Sequence, residues 1–230
     1  MKRYLITGAS RGIGRAIAEN LAGPDRTLLI HGRDPEALAE TRRLVEGRSS
    51  KAIPLCYDLQ SAESIEKMVE EIGSTPLDAL INNAGMAIVK PLAEIALEEW
   101  EKIFAVNVTA PFLLTQKLLP MMRTGSAVVN ILSIAAKTGF PSWSSYCMSK
   151  FALEGFSQAI REELRPRGIR VLNIYPAATA TEIWKGVEGD WPQEKMLAAD
   201  EIGAAVAFAL SRPAEVAVEN ISLQNATGTL

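Results

Sequence analysis

The sequence predicts a doubly wound α/β fold: a seven-stranded parallel sheet flanked by helices on both faces. Three observations carry this expectation. Apolar runs alternate with amphipathic stretches along the whole chain. The strand-like runs are continuously apolar, as strands covered on both faces are, rather than alternating. The strand–helix–strand order recurs about six times, the order of a doubly wound sheet. A length of 230 residues, 48% of them apolar, suits one such domain spanning 1–230 and fills its core without disulfides or metal.

The elements follow in order. RYLITG (3–8) is the first strand, and helix 12–22 carries IGRAIAENLA, with apolar residues at three- and four-residue spacing. TLLIHG (27–32) is the second strand. Asp34-Pro35 then opens helix 35–46, an N-cap followed by proline at the first helical position. AIPLCY (52–57) precedes helix 61–72, where Ser61 followed by Ser64 is a weaker start. ALINN (79–83) precedes the long helical segment 97–122. AVVNILS (127–133) precedes helix 144–164, and RVLNIY (170–175) is the sixth strand. A polar, irregular insertion, TEIWKGVEGDWPQEKMLAAD (181–200), follows at the carboxyl side of the sheet. Asp200 is expected to cap helix 200–211, with Pro213 just past its end, and VENISL (218–223) closes the sheet. Linkers, low-complexity tracts and internal repeats are not evident.

Composition excludes several classes. The net charge is −3 and no basic block marks a nucleic-acid or anionic-membrane partner. Cys56 and Cys147 are the two cysteines and form no C-x-x-C pair, so neither zinc nor a disulfide framework is expected. The N-terminal apolar stretch is too short for a signal sequence, and no run reaches the ~18 apolar residues of a membrane span. The expected location is cytoplasmic. His31 is the single histidine. It ends a buried strand, reads as structural, and leaves no His-cluster metal site.

TGASRGIG (7–14) stands after a strand and before a helix. Glycines 8, 12 and 14 let the backbone turn tightly and approach a pyrophosphate, with helix N-terminal amides facing it. At the end of the second strand, an acidic residue would hold the ribose 2′-OH of NAD. Here Gly32 and Arg33 stand instead, and a guanidinium suits a 2′-phosphate, so NADP(H) is favoured over NAD(H). Arg11 points to the same group, and Asp34 is accounted for as a helix cap.

Tyr146 and Lys150 share one helix face as i and i+4. A free phenol, with a pKa near ~10, is a poor base at neutral pH. A nearby ammonium lowers that value and makes an acid/base of it. Ser133, at the end of the preceding strand, has a hydroxyl that can polarise a carbonyl. Asn107 is a polar amide in the apolar stretch VNVTAPFLL and needs a partner. NNAG (82–85) ends the fourth strand, where ligands sit in such sheets.

Taken together, these motifs resemble the single-domain short-chain dehydrogenase/reductase family over nearly the whole chain. The match rests on TGASRGIG, Asp58-Leu59, NNAG, Asn107, Ser133, Tyr146 with Lys150, and YPAATATEI (175–183). The resemblance implies a Rossmann fold. It implies Tyr146 as acid/base, Lys150 holding the nicotinamide ribose and lowering the Tyr146 pKa, and Ser133 orienting the substrate oxygen. Asn107 would hold a water linking Lys150 to solvent. Gly8, Ser10, Arg11, Gly12, Ile13 and Gly14 would cradle the cofactor. Asp58 and Leu59 would meet the adenine, with Asn83, Ala84 and Gly85 along the adenosine side. Pro176, the Thr179 backbone and Thr181 would fix the carboxamide. Two departures stand out: Ala177 replaces the usual glycine, and Thr179 a usual aliphatic residue. The C-terminus lacks the ending of many 3-oxoacyl carrier protein reductases and looks closer to 3-hydroxy acid and serine-type dehydrogenases.

The implied function is NADP(H)-dependent hydride transfer between the nicotinamide and a small ketone or secondary alcohol. The alternative is a catalytically silent NADP(H) sensor, though such proteins typically lose the tyrosine or lysine. The sugar-nucleotide epimerase branch is set aside, since its glycine spacing differs and it needs a larger C-terminal part. Segment 181–200 is expected to cover the substrate. Trp184 and Trp191 are candidate walls with loop packing as the alternative, and Lys185 and Lys195 read as solvated. Cys147 reads as packing. Phe112, Leu113, Phe151 and Phe156 are read as outer apolar positions on helices that the family pairs between subunits, so a homodimer or homotetramer is expected.

Overall fold

The computed structural model describes residues 1–187, 191–226 and 228. Seven parallel strands form one sheet in the order β3-β2-β1-β4-β5-β6-β7. They are β1 (Lys2–Ile6), β2 (Arg26–Gly32), β3 (Lys51–Cys56), β4 (Ala79–Asn82), β5 (Ala127–Ile131), β6 (Arg170–Pro176) and β7 (Asn220–Leu223). The helices are α1 (Gly12–Leu21), α2 (Pro35–Glu46), α3 (Ala62–Ile72), α4 (Leu97–Phe104), α5 (Ala110–Leu118), α6 (Ser144–Leu164) and α7 (Ala199–Leu210). The order reverses between β1 and β4, and a crevice for ligand opens at the carboxyl ends of strands at such a point.

Consecutive strand residues feed opposite layers. Ile6, Ile30 and Ile81 join Ile17, Ile202 and Val206 in one core. Leu5, Leu29 and Leu80 join Ile65, Met68, Leu114 and Leu118 in the other. This is why the inner strands read as unbroken apolar runs. The edge strands depart from that expectation: Lys51, Pro54 and Cys56 of β3 are exposed, and β7 is nowhere fully buried, because an edge has cover from fewer neighbours. Asn82, Asn130, Asn173 and Asn220 lie in register across β4 to β7. Asn82 donates to the Asn130 side chain at 2.9 Å, and Asn130 donates to Ser157 Oγ of α6 at 2.7 Å.

Helix starts were partly legible. Asp34 Oδ1 accepts from the Glu36 and Ala37 amides, and Ser61 Oγ from Ser64. Asp200 is not a cap. The helix begins a residue earlier, at Ala199, and the Asp200 carboxylate accepts from Asn20 Nδ2 of α1 at 2.6 Å. The expected strand 127–133 ends at Ile131, so Ser133 lies beyond it and caps the short turn Ile134–Ala136 through the Ala135 amide.

The segment 97–122 is helical but not uniformly so. Residues Ala105–Thr109 form a π turn, closed by the Ala110 amide on the Ala105 carbonyl. By length and composition the run Leu97–Met121 could cross a membrane. Here its α5 part packs on α3, with Pro111, Leu114 and Leu118 buried. Lys102, Asn107, Gln116 and Lys117 keep it from being the continuous apolar run the sequence reading looked for.

Candidate active site

The glycine turn is built by steric necessity. Gly8 (φ +66°) and Gly12 (φ +53°) adopt left-handed backbone that side chains disfavour. A Cβ on Gly14 would lie 2.1 Å from the Gly8 carbonyl oxygen. Asn83, just past β4, donates its amide to the Thr7 carbonyl (2.8 Å) and the Gly8 carbonyl (3.2 Å). Thr7 Oγ1 in turn accepts from the amides of Asn83 and Ala84. Gly8, Ser10, Arg11, Gly12, Ile13, Gly14, Arg33, Asp58, Leu59, Asn83, Ala84, Gly85 and Thr181 thus line one cleft of about 510 Å³. Arg33 is exposed at its edge, and among the described residues no carboxylate pairs with it. Arg11 is engaged elsewhere: its guanidinium meets Glu182 Oε2 at 2.8 Å, across the cleft. The sequence reading paired it with Arg33; the fold brings Glu182 within reach instead.

His31 braces this turn. Its Nε2–H donates to the Tyr57 carbonyl at 3.0 Å, so the other nitrogen, Nδ1, accepts from the Gly8 amide at 3.3 Å. Burial, which disfavours the charged ring, lowers its pKa from 6.5 to about 4. Between those values the unfolded chain takes up a proton that the folded chain refuses. The contribution of His31 to stability is therefore full above pH 6.5 and falls as pH drops towards 4. We expect the pH dependence of urea unfolding in wild type to exceed that of His31→Asn by about 3 kcal/mol over that window. Equal slopes would show that His31 is charged in the folded protein.

Asn107, Ser133, Tyr146 and Lys150 converge beyond the turn. Ser133 faces the Tyr146 phenol in one cavity and pulls its pKa down. Lys150 is buried and donates to the Ile131 carbonyl at 2.9 Å, with Nζ 5.6 Å from the centre of the Tyr146 ring. Gly85 lies beside both Asn107 and Lys150: a Cβ there would be 3.5 Å from Asn107 Oδ1 and 3.8 Å from Lys150 Nζ, an ordinary contact. Asn107, in the π turn, finds its partners: Oδ1 accepts from the Met86 amide, and Nδ2 donates to the Met86 carbonyl and Ser149 Oγ. Ser149 Oγ donates to the Tyr146 carbonyl at 2.7 Å. Burial pushes the Tyr146 phenol up to about 12, against the pull of Ser133. Burial likewise draws Lys150 down to about 8. The sequence reading expected Lys150 to lower the tyrosine. In this geometry desolvation of the phenol dominates, and the Lys150 ammonium is engaged by the Ile131 carbonyl.

A second cavity, of about 330 Å³, adjoins the first and contains Ser133, Tyr146 and Lys150. Pro176, Thr179, Thr181, Trp184 and Trp191 line it, and so does Trp143, which the sequence reading did not single out. Trp143 stands three residues before Tyr146, and an i, i+3 relation was the available signal. The Thr179 carbonyl accepts from Trp184 Nε1 at 2.8 Å. Ala177 has no positive φ, and its amide donates to the Leu223 carbonyl, so alanine fits there. Lys195 is exposed, while the side chain of Lys185 and residues 188–190 lie outside the described residues.

The family described as short chain dehydrogenase matches residues 2–191. The chain belongs to that family. L-2,3-Butanediol dehydrogenase of Corynebacterium glutamicum is 33% identical over 82% of this chain and 76% of its own. The 3-oxoacyl-(acyl-carrier-protein) reductase of Aquifex aeolicus is 37% identical over 79% of this chain and 75% of its own. The solved structure of an alcohol dehydrogenase from the archaeon Thermococcus sibiricus, complexed with 5-hydroxy-NADP, superposes with a TM-score of 0.87. It is 28% identical, over 98% of this chain and 97% of its own.

In this short-chain dehydrogenase both cysteines are free, Cys147 buried in α6 and Cys56 exposed on β3. The surface of α5 and α6 is only partly as expected. Phe112 and Phe151 are exposed, at 44% and 47%. Leu113 and Phe156 instead pack inward, Leu113 on the second core and Phe156 edge-on against Phe112 and beside Leu153 and Tyr175.

Proposed function

We propose that this chain is an NADP(H)-dependent oxidoreductase that interconverts a ketone and a secondary alcohol, with Tyr146 as the acid/base. The observation that carries the reading is the meeting of Ser133, Tyr146 and Lys150 in one cavity that opens into the glycine-lined cleft. The cleft fits a dinucleotide: its glycines remove the Cβ atoms that would fill it, and the α1 amides face it. Gly8 to Gly14 hold the pyrophosphate, Arg33 the 2′-phosphate, and Asp58 with Leu59 the adenine. Asn83, Ala84 and Gly85 line the adenosine side, and Pro176, Thr179 and Thr181 the carboxamide. When bound, the nicotinamide supplies or takes the hydride. Ser133 donates a hydrogen bond to the substrate oxygen and orients it. Tyr146, protonated at neutral pH, gives its proton to that oxygen as negative charge develops there. Lys150 holds the ribose, and the Asn107 main chain in the π turn takes the water of a relay. Segment 181–200 covers the substrate.

The test is NADPH and NADH oxidation with 2,3-butanedione, in wild type and Arg33→Asp. We expect wild type to prefer NADPH, and Arg33→Asp to weaken NADPH by about tenfold to a hundredfold while sparing NADH, the loss of one charge-assisted contact. Equal weakening would show that Arg33 does not read the phosphate. Binding of NADPH without turnover of any carbonyl would favour a sensor.

We also propose a homodimer or homotetramer, joined through α5 and α6. Phe112, Met148 and Phe151 leave an apolar face there. A monomeric mass by light scattering at micromolar concentration would overturn this.

A further inference from the structure

Resting on that reductase reading, we infer that the substrate is an uncharged ketone carrying a planar aromatic ring, clasped by Trp143, Trp184 and Trp191. All three indoles line the cavity that holds Tyr146, together with Phe140. They form a corner rather than a stack. Trp143 meets the Tyr146 ring at 5.5 Å and 69°, Trp184 at 5.8 Å and 62°, and Trp191 at 6.1 Å and 88°. Trp184 and Trp191 lie side by side at 4.8 Å and 39°. A flat ring entering this corner stacks on one indole and meets another edge-on, the two favoured aromatic geometries.

The corner is held in advance of any ligand. Trp184 is anchored through Nε1 to the Thr179 carbonyl. Trp143 follows Ser142, a non-glycine residue at φ +65°, and its carbonyl accepts from the Cys147 amide in the first turn of α6. The catalytic tyrosine and its aromatic neighbour therefore share one helix start.

Charge is the second observation. Among the described lining residues the one charged side chain is Lys150, already donating to the Ile131 carbonyl. Ile134, Pro141, Ala178, Ile183 and Val187 add aliphatic surface around the indoles, beside the neutral polar groups of Ser133, Thr179 and Thr181. Among the described lining residues, a carboxylate or phosphate beside the indoles would give up its water with no cation but the engaged Lys150 to meet it. Recognition by an anionic handle is thus disfavoured, and recognition by a π face is favoured.

The test uses simple ketones of similar carbonyl reactivity: phenylacetone, its saturated counterpart cyclohexylacetone, and 4-carboxyphenylacetone. Each is assayed with NADPH in wild type, Trp184→Leu and Trp191→Leu. Calorimetry follows the binding of phenylacetone and cyclohexylacetone to Tyr146→Phe saturated with NADP. We expect kcat/KM for phenylacetone to exceed that for cyclohexylacetone by about tenfold, the worth of two ring contacts, and to exceed the carboxylate by more. The ratio should fall towards one in the tryptophan variants, and calorimetry should show the same preference. Turnover of cyclohexylacetone or 4-carboxyphenylacetone as good as that of phenylacetone overturns this inference and leaves the reductase reading standing. Preferential binding of phenylacetone with no turnover of any ketone upholds the aromatic site and overturns the reductase reading.

Discussion

Tyr146→Phe is expected to lower NADPH-dependent ketone reduction by about 10²–10⁴-fold, the range for loss of a positioned general acid. The phenol shares one cavity with Ser133 and Lys150 and carries its proton at neutral pH. Its ring packs on Trp143, and phenylalanine keeps that contact, so the fold should persist. Cofactor affinity should drop by about tenfold at most, the loss of one neutral hydrogen bond. The pH dependence follows from the same phenol. Pushed up to about 12 by burial, it is ready to donate, so reduction should run well at neutral pH. Alcohol oxidation needs the phenolate, so its rate should rise with pH and peak at a higher pH than reduction. Single-turnover rates across pH, in both directions and for both proteins, check this. A phenylalanine variant with more than about a tenth of the wild-type rate would remove Tyr146 from the mechanism.

Gly14→Ala is expected to disable the cofactor cleft. The added Cβ would lie 2.1 Å from the Gly8 carbonyl oxygen and 2.5 Å from Asn83 Nδ2. The first is backbone, so either α1 or the turn must move. Overpacking of this kind costs about 1–3 kcal/mol or more. The shift also breaks the Asn83 bonds to the Thr7 and Gly8 carbonyls, which hold the turn against β4. Urea unfolding should show the stability loss, and NADPH titration should show affinity reduced by more than about tenfold. Near-wild-type values in both would show that the turn is not rigid. Gly139 is the control: a Cβ there has nothing within 4 Å.

The parts of this molecule readable from sequence are those governed by local chemistry. Asp34-Pro35 announces a helix because a side-chain oxygen and a proline satisfy the first turn without outside help. Glycines 8 and 12 announce a left-handed turn because few other residues tolerate it. The polar amide of Asn107 announces a partner, though not which one; Ser149 and Met86 are found only by folding. Asp200 shows the limit of local reasoning. Its residue type and position suit a cap, yet Asn20, far away in sequence, holds its carboxylate.

By itself the sequence determined the doubly wound sheet, the family resemblance, the place of Ser133 near the end of the fifth strand, and that of Tyr146 and Lys150 on one helix face. Apolar strand runs, helix periodicity and turn chemistry are written in residues close together along the chain. Tertiary structure alone decided that His31 braces Gly8, that Arg11 joins Glu182, and that burial raises the Tyr146 pKa. It also decided that Trp143, Trp184 and Trp191 meet in one corner. Each of these depends on segments brought together at the carboxyl edge of the sheet, where the distance between groups and their exposure to water are set by the fold and not by spacing along the chain.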